Sequence, residues 1–223
     1  MHVTSIVKAR AVALVDVDEL NFNGTIRFAD IVSPLVEKYG FLIYPVKPED
    51  FDPEKGISFH SGKAGGKVID VLTIFPGLIT LETLSSTADS KTVLENLFRW
   101  GRETLGLTYS EGMVRRWGYI SQIVFYSEIP LLSMLSKPLQ NLAKKTGEVV
   151  DGLFKEGLVY EVGRVNIGHD PLTRKNSIAG ISIEHRANVK FSDNKFFSEA
   201  PLPTDLHIKF LQELEKDVME QSY

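Results

Sequence analysis

The chain has 223 residues, 43% of them hydrophobic and 24% charged, with a formal net charge of -4 and a pI near 5.8. That length fits one large domain or two fused small ones, the composition is that of a globular protein with a sizeable core, and the acidic balance speaks against nucleic-acid binding, which favours basic excess. Cysteine is absent, which excludes disulfides, thiolate nucleophiles and Cys-ligated zinc and suits a reducing cytoplasm.

The opening MHVTSIVKARAVALV has too short an apolar run for a signal peptide and no small-residue cleavage pattern. The most apolar later stretch, Tyr119 to Leu135, is broken by Ser121, Gln122, Ser127, Glu128 and Pro130, so no membrane span is expected. Residues 5–17 are expected to form a strand with Val7, Ala9, Ala11, Ala13 and Val15 on one face. These small side chains would let a helix approach closely, while Lys8 and Arg10 make the other face partly wet. The strand runs into Asp16-Val17-Asp18-Glu19 and a polar turn ending at Gly24.

Phe28, Ile31, Val32, Leu35, Val36 and Tyr39 fall at helical spacing before Gly40, with Pro34 expected to kink or restart the helix. A proline-rich loop, 45–53, precedes strands at 56–61 and 67–75, which are separated by GKAGG. Pro76-Gly77 makes a turn into a strand at 78–84. Alternation outward from that turn puts Val68, Leu72, Ile74, Ile79 and Leu81 on one face, with Asp70 and Thr83 at its far end. Ser85 to Asp89 reads as a helix start, and Leu94, Leu97, Phe98, Gly101 and Leu105 as its buried stripe, ending at Gly106.

In the second half a strand is expected at 115–126, a helix at 133–146 ending at Gly147, and strands at 158–167 and 178–189 joined by GHDPLTRKNS. Thr204 caps a last helix whose expected inward residues are Leu206, Phe210, Leu211, Leu214 and Val218. The halves repeat in order and detail. VSPLVEKYG matches LSKPLQNLAKKTG and STADSKTVLENL matches PTDLHIKFLQEL, with Pro34 to Pro138 104 residues apart and Thr87 to Thr204 117 apart. The expected fold is therefore α+β: duplicated β-α-β-β-(β)-α units in one curved, mostly antiparallel sheet with helices on one face. It is read as a single domain, 1–223, with pseudo-repeats of about 1–106 and 107–223. This order resembles the TATA-binding-protein and helix-grip architectures, a resemblance that implies nothing about function.

Asp16 and Asp18 are the best catalytic and metal candidates. VALVDVDEL resembles the first strand of nucleotide cyclases and palm-type polymerases, where an Asp at the strand end helps hold two metal ions. That chemistry needs a further carboxylate, for which only Asp70 and Glu82 are near in sequence, and the IFPGLIT turn supplies none. The alternative is a strand end with turn-forming Asp and Asn. His169-Asp170 lies in a polar loop and reads as a turn. His185 shares a face with Ile181, Ile183, Ala187 and Val189, the place of a hydrogen-bonded core histidine; it would act as a base only beside His60 or Asp70. Gly62 to Gly66 would hold an anion on its amides or form a mobile hairpin tip.

Arg99, Trp100, Arg102, Arg115, Arg116 and Trp117 form the most basic and aromatic neighbourhood, with packing and local pairing to Glu95 and Glu103 as the alternative. Phe191, Phe196 and Phe197 lie in a segment of no clear period, either an exposed partner site or a tether. No P-loop, GxGxxG or nucleophile elbow occurs. The leading expectation is a non-enzymatic, cytoplasmic binding or assembly protein that acts through protein partners or self-association and needs no cofactor. The alternatives are a metal-dependent nucleotide or phosphoryl-transfer enzyme on Asp16 and Asp18, and a single-stranded nucleic-acid binder on the Arg/Trp neighbourhood.

Overall fold

The computed structural model describes residues 1–170, 172 and 178–221. The elements are β1 (His2–Leu14), α1 (Val17–Leu20), α2 (Phe28–Tyr39), β2 (Ile57–Ala64), β3 (Lys67–Phe75), β4 (Leu78–Thr83) and α3 (Thr87–Trp100), then β5 (Arg116–Tyr126), α4 (Leu131–Met134), α5 (Lys137–Phe154), β6 (Arg164–Ile167), β7 (Ile181–His185), β8 (Lys195–Ala200) and α6 (Thr204–Glu220). Among the described residues the fold is α+β, with one antiparallel sheet in the order β2-β3-β4-β1-β5-β8-β7-β6. The chain falls into two compact units, one of residues 7–121 and 202–204, the other of residues 1–6, 122–201 and 205–223.

In the first unit, Ala9, Ala11 and Ala13 are fully buried, as the small-residue face of β1 requires. Ser90 of α3 comes close enough to donate from Oγ to the Ala9 carbonyl at 2.6 Å. Leu94, Leu97 and Phe98 of α3 and Leu35 and Tyr39 of α2 then close one core over Ile57, Phe59, Leu72 and Leu81. Ser86 caps α3 by accepting from the Asp89 amide at 3.0 Å. Pro34 sits inside α2 without ending it, and Gly40 closes that helix in the left-handed region (φ 62°), as its place in the sequence predicts.

Strict alternation fails in β3. Ile69 pairs with Thr83 and Val71 with Glu82, so Asp70 is an extra residue in the ladder with β4. The bulge turns Ile69 into the core at 0% exposure and leaves Val68 outside at 45%. Directly across on β2, Ser61 has φ 58°, while the pairs on either side, His60 with Val71 and Gly62 with Ile69, keep one register. GKAGG is therefore not a free loop between two strands. Gly62 to Ala64 belong to β2, and only Gly65 and Gly66, both at positive φ, make the turn. Gly62 lies against Phe41, whose ring would be 2.6 Å from an added Cβ. The outer edge of β2 is met by residues 42–43: the Ile43 carbonyl accepts from the His60 amide at 2.8 Å, and the Leu42 amide donates to the His60 carbonyl at 3.1 Å.

The second unit closes a separate core of Ile123 and Phe125 of β5, Leu131 and Leu132 of α4, Ile183, Phe196, and Leu211 and Val218 of α6. Three expectations are corrected here. The helix does not end at Gly147 but runs to Phe154, with Lys155 in the left-handed region. Gly147 is instead where Leu158 O and Tyr160 approach, at 3.6 and 3.7 Å from an added Cβ. The strand expected at 158–167 forms only over β6. In α6 the phase differs by a fraction of a turn, so Leu206 and Phe210 are exposed while His207 and Glu215 are buried. Glu215 is held by Ser127 Oγ at 2.6 Å and the Glu128 amide at 2.9 Å.

Thr87 and Thr204 make a reciprocal pair. Each backbone amide donates to the other's hydroxyl oxygen, at 3.0 and 2.9 Å, and both residues are buried. Thr87→Val and Thr204→Val each strip the acceptor from a buried amide, so each is expected to cost about 1–3 kcal/mol in urea unfolding, with Ser at either position largely neutral. A strongly unequal pair of costs would show that the exchange is not reciprocal.

Candidate functional site

Asp16 does not end a bare strand. It caps α1, accepting from the Asp18 amide at 3.0 Å. Glu19 is taken by Arg115 at 2.5 Å. Glu82 is buried between Arg10, whose Nε lies 2.6 Å away, and Lys8 at 3.5 Å, while Asp70 is exposed at its bulge. Among the described residues no group of three or more His, Asp or Glu stands together to hold a metal.

The structure brings Arg99 and Trp117 together but not Arg115 or Arg116. A cleft of about 330 Å³ is lined by Glu95, Arg99, Arg102, Tyr109, Glu111 and Trp117, among others, so acids offset its arginines. Lys91 Nζ sits 5.2 Å from the Trp117 ring centre, occupying a face that a base would need. Arg116 is exposed at the start of β5.

The three phenylalanines part company. Residues 195–200 are strand β8, and its alternation sends Phe196 into the core at 0% exposure. Phe196 therefore meets no partner at the surface. Phe197 is half-buried on the other face, with the Arg186 guanidinium 6.0 Å from its ring. Phe191 stays exposed and stacks on His185, ring centres 4.0 Å apart. His185 is not the hydrogen-bonded core histidine that its place in the alternation suggests. Its Nε2 is buried with no hydrogen-bond partner among the described residues, and burial lowers its pKa, with Glu161 opposing. His169 Nε2 lies 2.8 Å from the Ile178 carbonyl and Asp170 accepts from the Leu172 amide at 2.8 Å, which is a turn. Residues 171 and 173–177 of that loop lie outside the described residues.

The buried histidine is His207, which spacing alone does not single out between its two apolar neighbours. Its Nε2 lies 2.8 Å from Ser198 Oγ. That hydroxyl spends its hydrogen on the Ser182 carbonyl at 2.7 Å, so His207 Nε2 is the donor in the pair. Both residues are 0% exposed, so this serine and histidine form a sealed structural link, not a nucleophile and its base.

α5 carries an exposed apolar stripe, which escapes sequence patterns because Gly147 suggests an earlier stop. Leu139, Leu142, Val149 and Leu153 are between 44% and 71% exposed. With half-buried Thr146 they fall at steps of three and four residues, the spacing of a seam that meets another helix. The only fully buried residue of this helix is Gly147, on a different side. Charge changes along its length: Lys137, Lys144 and Lys145 precede Glu148 and Asp151.

No helix among the described residues is long and apolar enough to cross a membrane. No family model and no curated protein matches the chain.

Two outcomes are expected. Asp16→Ala loses the cap and about 1 kcal/mol of stability, whereas Asp16→Asn keeps both; equal loss in both would mean that the carboxylate charge itself is needed. Burial lowers the His207 pKa from 6.5 to about 4. Its neutral form is the folded one, so its contribution is complete above pH 6.5 and falls as pH drops from 6.5 toward 4. The loss is a few kcal/mol, on the order of 1.4 for each tenfold drop in proton affinity on folding. His207→Gln, compared with the parent by denaturant titration at pH 4.5 and 7, is expected to flatten that slope.

Proposed function

We propose that this protein is a non-enzymatic binding and assembly protein that self-associates through α5, with a second copy of the same helix as the occupant. The observation that carries the reading is the unpartnered seam of Leu139, Leu142, Val149 and Leu153. Its charge pattern suits a copy better than an unrelated helix. Laid antiparallel about Thr146, the lysine-bearing half of one α5 faces the acidic half of the other, and Lys144 comes opposite Glu148. Eight such side chains in a dimer contribute on the order of 10 kcal/mol when buried, comparable with an association cost on the order of 4–15 kcal/mol, so the dimer is expected to be of moderate strength. A cytoplasmic setting suits a chain without cysteine. An enzymatic reading on Asp16 and Asp18 draws no support from this geometry, since Asp16 is a cap and Glu82 is already paired.

We also infer that the chain is an internal duplication whose halves share one curved sheet. β4 and β8 begin and end 117 residues apart, as do Thr87 and Thr204, which exchange equal hydrogen bonds. Leu42-Ile43-Tyr44 is matched by Leu158-Val159-Tyr160 at an offset of 116. The extra residues of the second half thus lie within α5, the helix offered for assembly.

Light scattering on the eluting protein at tens of micromolar is expected to give twice the 25.0 kDa of one chain. Leu142→Glu and Leu153→Lys, both on the exposed seam, are expected to give a folded monomer whose unfolding midpoint no longer depends on protein concentration. A monomeric parent, or a dimer indifferent to both changes, would sink the proposal. Lys144→Glu is expected to weaken the dimer, and adding Glu148→Lys to restore it only if the helices run antiparallel.

A further inference from the structure

A second surface cleft, of about 480 Å³, lies in the unit of residues 7–121, and Lys38, Lys63, Arg99 and Trp100 are among its lining residues. These come from separate elements: the last turn of α2, the end of β2 beside the Gly65-Gly66 turn, and the outer face of α3. Its one acid, Glu103, is 4.0 Å from Arg102. Neighbouring cations are satisfied, Lys67 by Asp89 at 3.2 Å and Lys91 by Glu95 at 3.6 Å. Lys38, Lys63 and Arg99 have no carboxylate within 4.0 Å among the described residues. Lys38 is instead held over the Trp100 ring, 5.0 Å from its centre.

Tyr39 also lines the cleft and is only 5% exposed, with Lys38 Nζ 5.2 Å from its ring centre. Three cations with no carboxylate partner among the described residues and an indole around a cavity of this size describe a receptor for a compact polyanion with an apolar or planar body. The size is that of a small-molecule site, not of a track along a strand.

We propose that this cleft binds a small organic phosphate, its phosphate oxygens met by Lys38, Lys63 and Arg99 and its body packed against Trp100. The proposal is independent of assembly through α5, because none of these residues belongs to that helix.

The test is calorimetric titration of the full chain with inorganic pyrophosphate as the probe, at 50 and 300 mM salt, with citrate and a twelve-residue oligothymidylate in parallel. Pyrophosphate is expected to bind more weakly at the higher salt, and Lys63→Gln and Arg99→Gln each to weaken it roughly tenfold. Both side chains are exposed, so their variants are expected to unfold at the parental temperature. Trp100 fluorescence, read in Trp117→Phe, is expected to change on saturation. No heat, equal binding of citrate, or affinity untouched in both variants would overturn the proposal. Oligothymidylate displacing pyrophosphate and binding more tightly with each added nucleotide would overturn it in favour of a nucleic-acid groove.

Discussion

The close approach of α3 to β1 is the constraint on which the unit of residues 7–121 depends. It requires a strand face of alanines, and Ala9, Ala11 and Ala13 supply one with no exposed surface left. Larger side chains there would hold the helix off and break the 2.6 Å bond from Ser90 to the Ala9 carbonyl. The depth of α3 in turn sets where its outer face lies. Asn96, Arg99, Trp100 and Glu103 follow at helical spacing, so whatever fixes Ser90 also fixes them against Lys38 and Lys63.

Buried polar groups fix the helices as firmly as the apolar core does. Ser90, Thr83 and Ala9 form one linked set, with Ser90 Oγ 2.9 Å from Thr83 Oγ1. In the other unit, His207, Ser198 and the Ser182 carbonyl form a second. Each set ties a helix to a particular place on a strand, where an apolar contact alone would let it slide. Such satisfied networks confer a single register more than they confer stability.

Much of this fold is legible in the sequence, and the losses have physical causes. The helix start at Ser86, the cap at Gly40 and the alanine face of β1 follow from local chemistry and stand where spacing places them, whereas Val7, expected on that face, is 39% exposed, and Thr204 opens α6 as its first residue with its hydroxyl accepting from the Thr87 amide, not as a cap. The facing of β3 is lost because a single extra residue, Asp70, inverts the alternation beyond it, and nothing in the composition of KVIDV announces that. The length of α5 is hidden because Gly147 resembles a stop; a glycine that admits a neighbouring chain looks the same in sequence as one that ends a helix. In α6, Phe210, expected inward, is exposed while His207 is buried, since a polar side chain with a waiting serine is buried more readily than spacing alone suggests.

The same logic governs the candidate sites. Asp16 is legible as a residue of interest, but its use as a cap depends on one turn of helix that single-sequence patterns do not resolve. Lys38, Lys63 and Arg99 are far apart in the chain, and only the hairpin and two helices bring them to one cleft. Proximity in sequence groups Arg99 and Trp100 with Arg115 and Arg116, whereas the fold sends those two arginines elsewhere.

The short bridge between Ile43 and His60 bears on the chain's behaviour when crowded. A terminal strand with free amides is a template on which further strands can stack without limit. Here residues 42–43 occupy part of that rim with an irregular piece of chain, and the bend at Ser61 (φ 58°) interrupts what remains. Strand-by-strand polymerisation is thereby blunted at β2, so growth into fibres through this rim would first have to peel off the guarding segment.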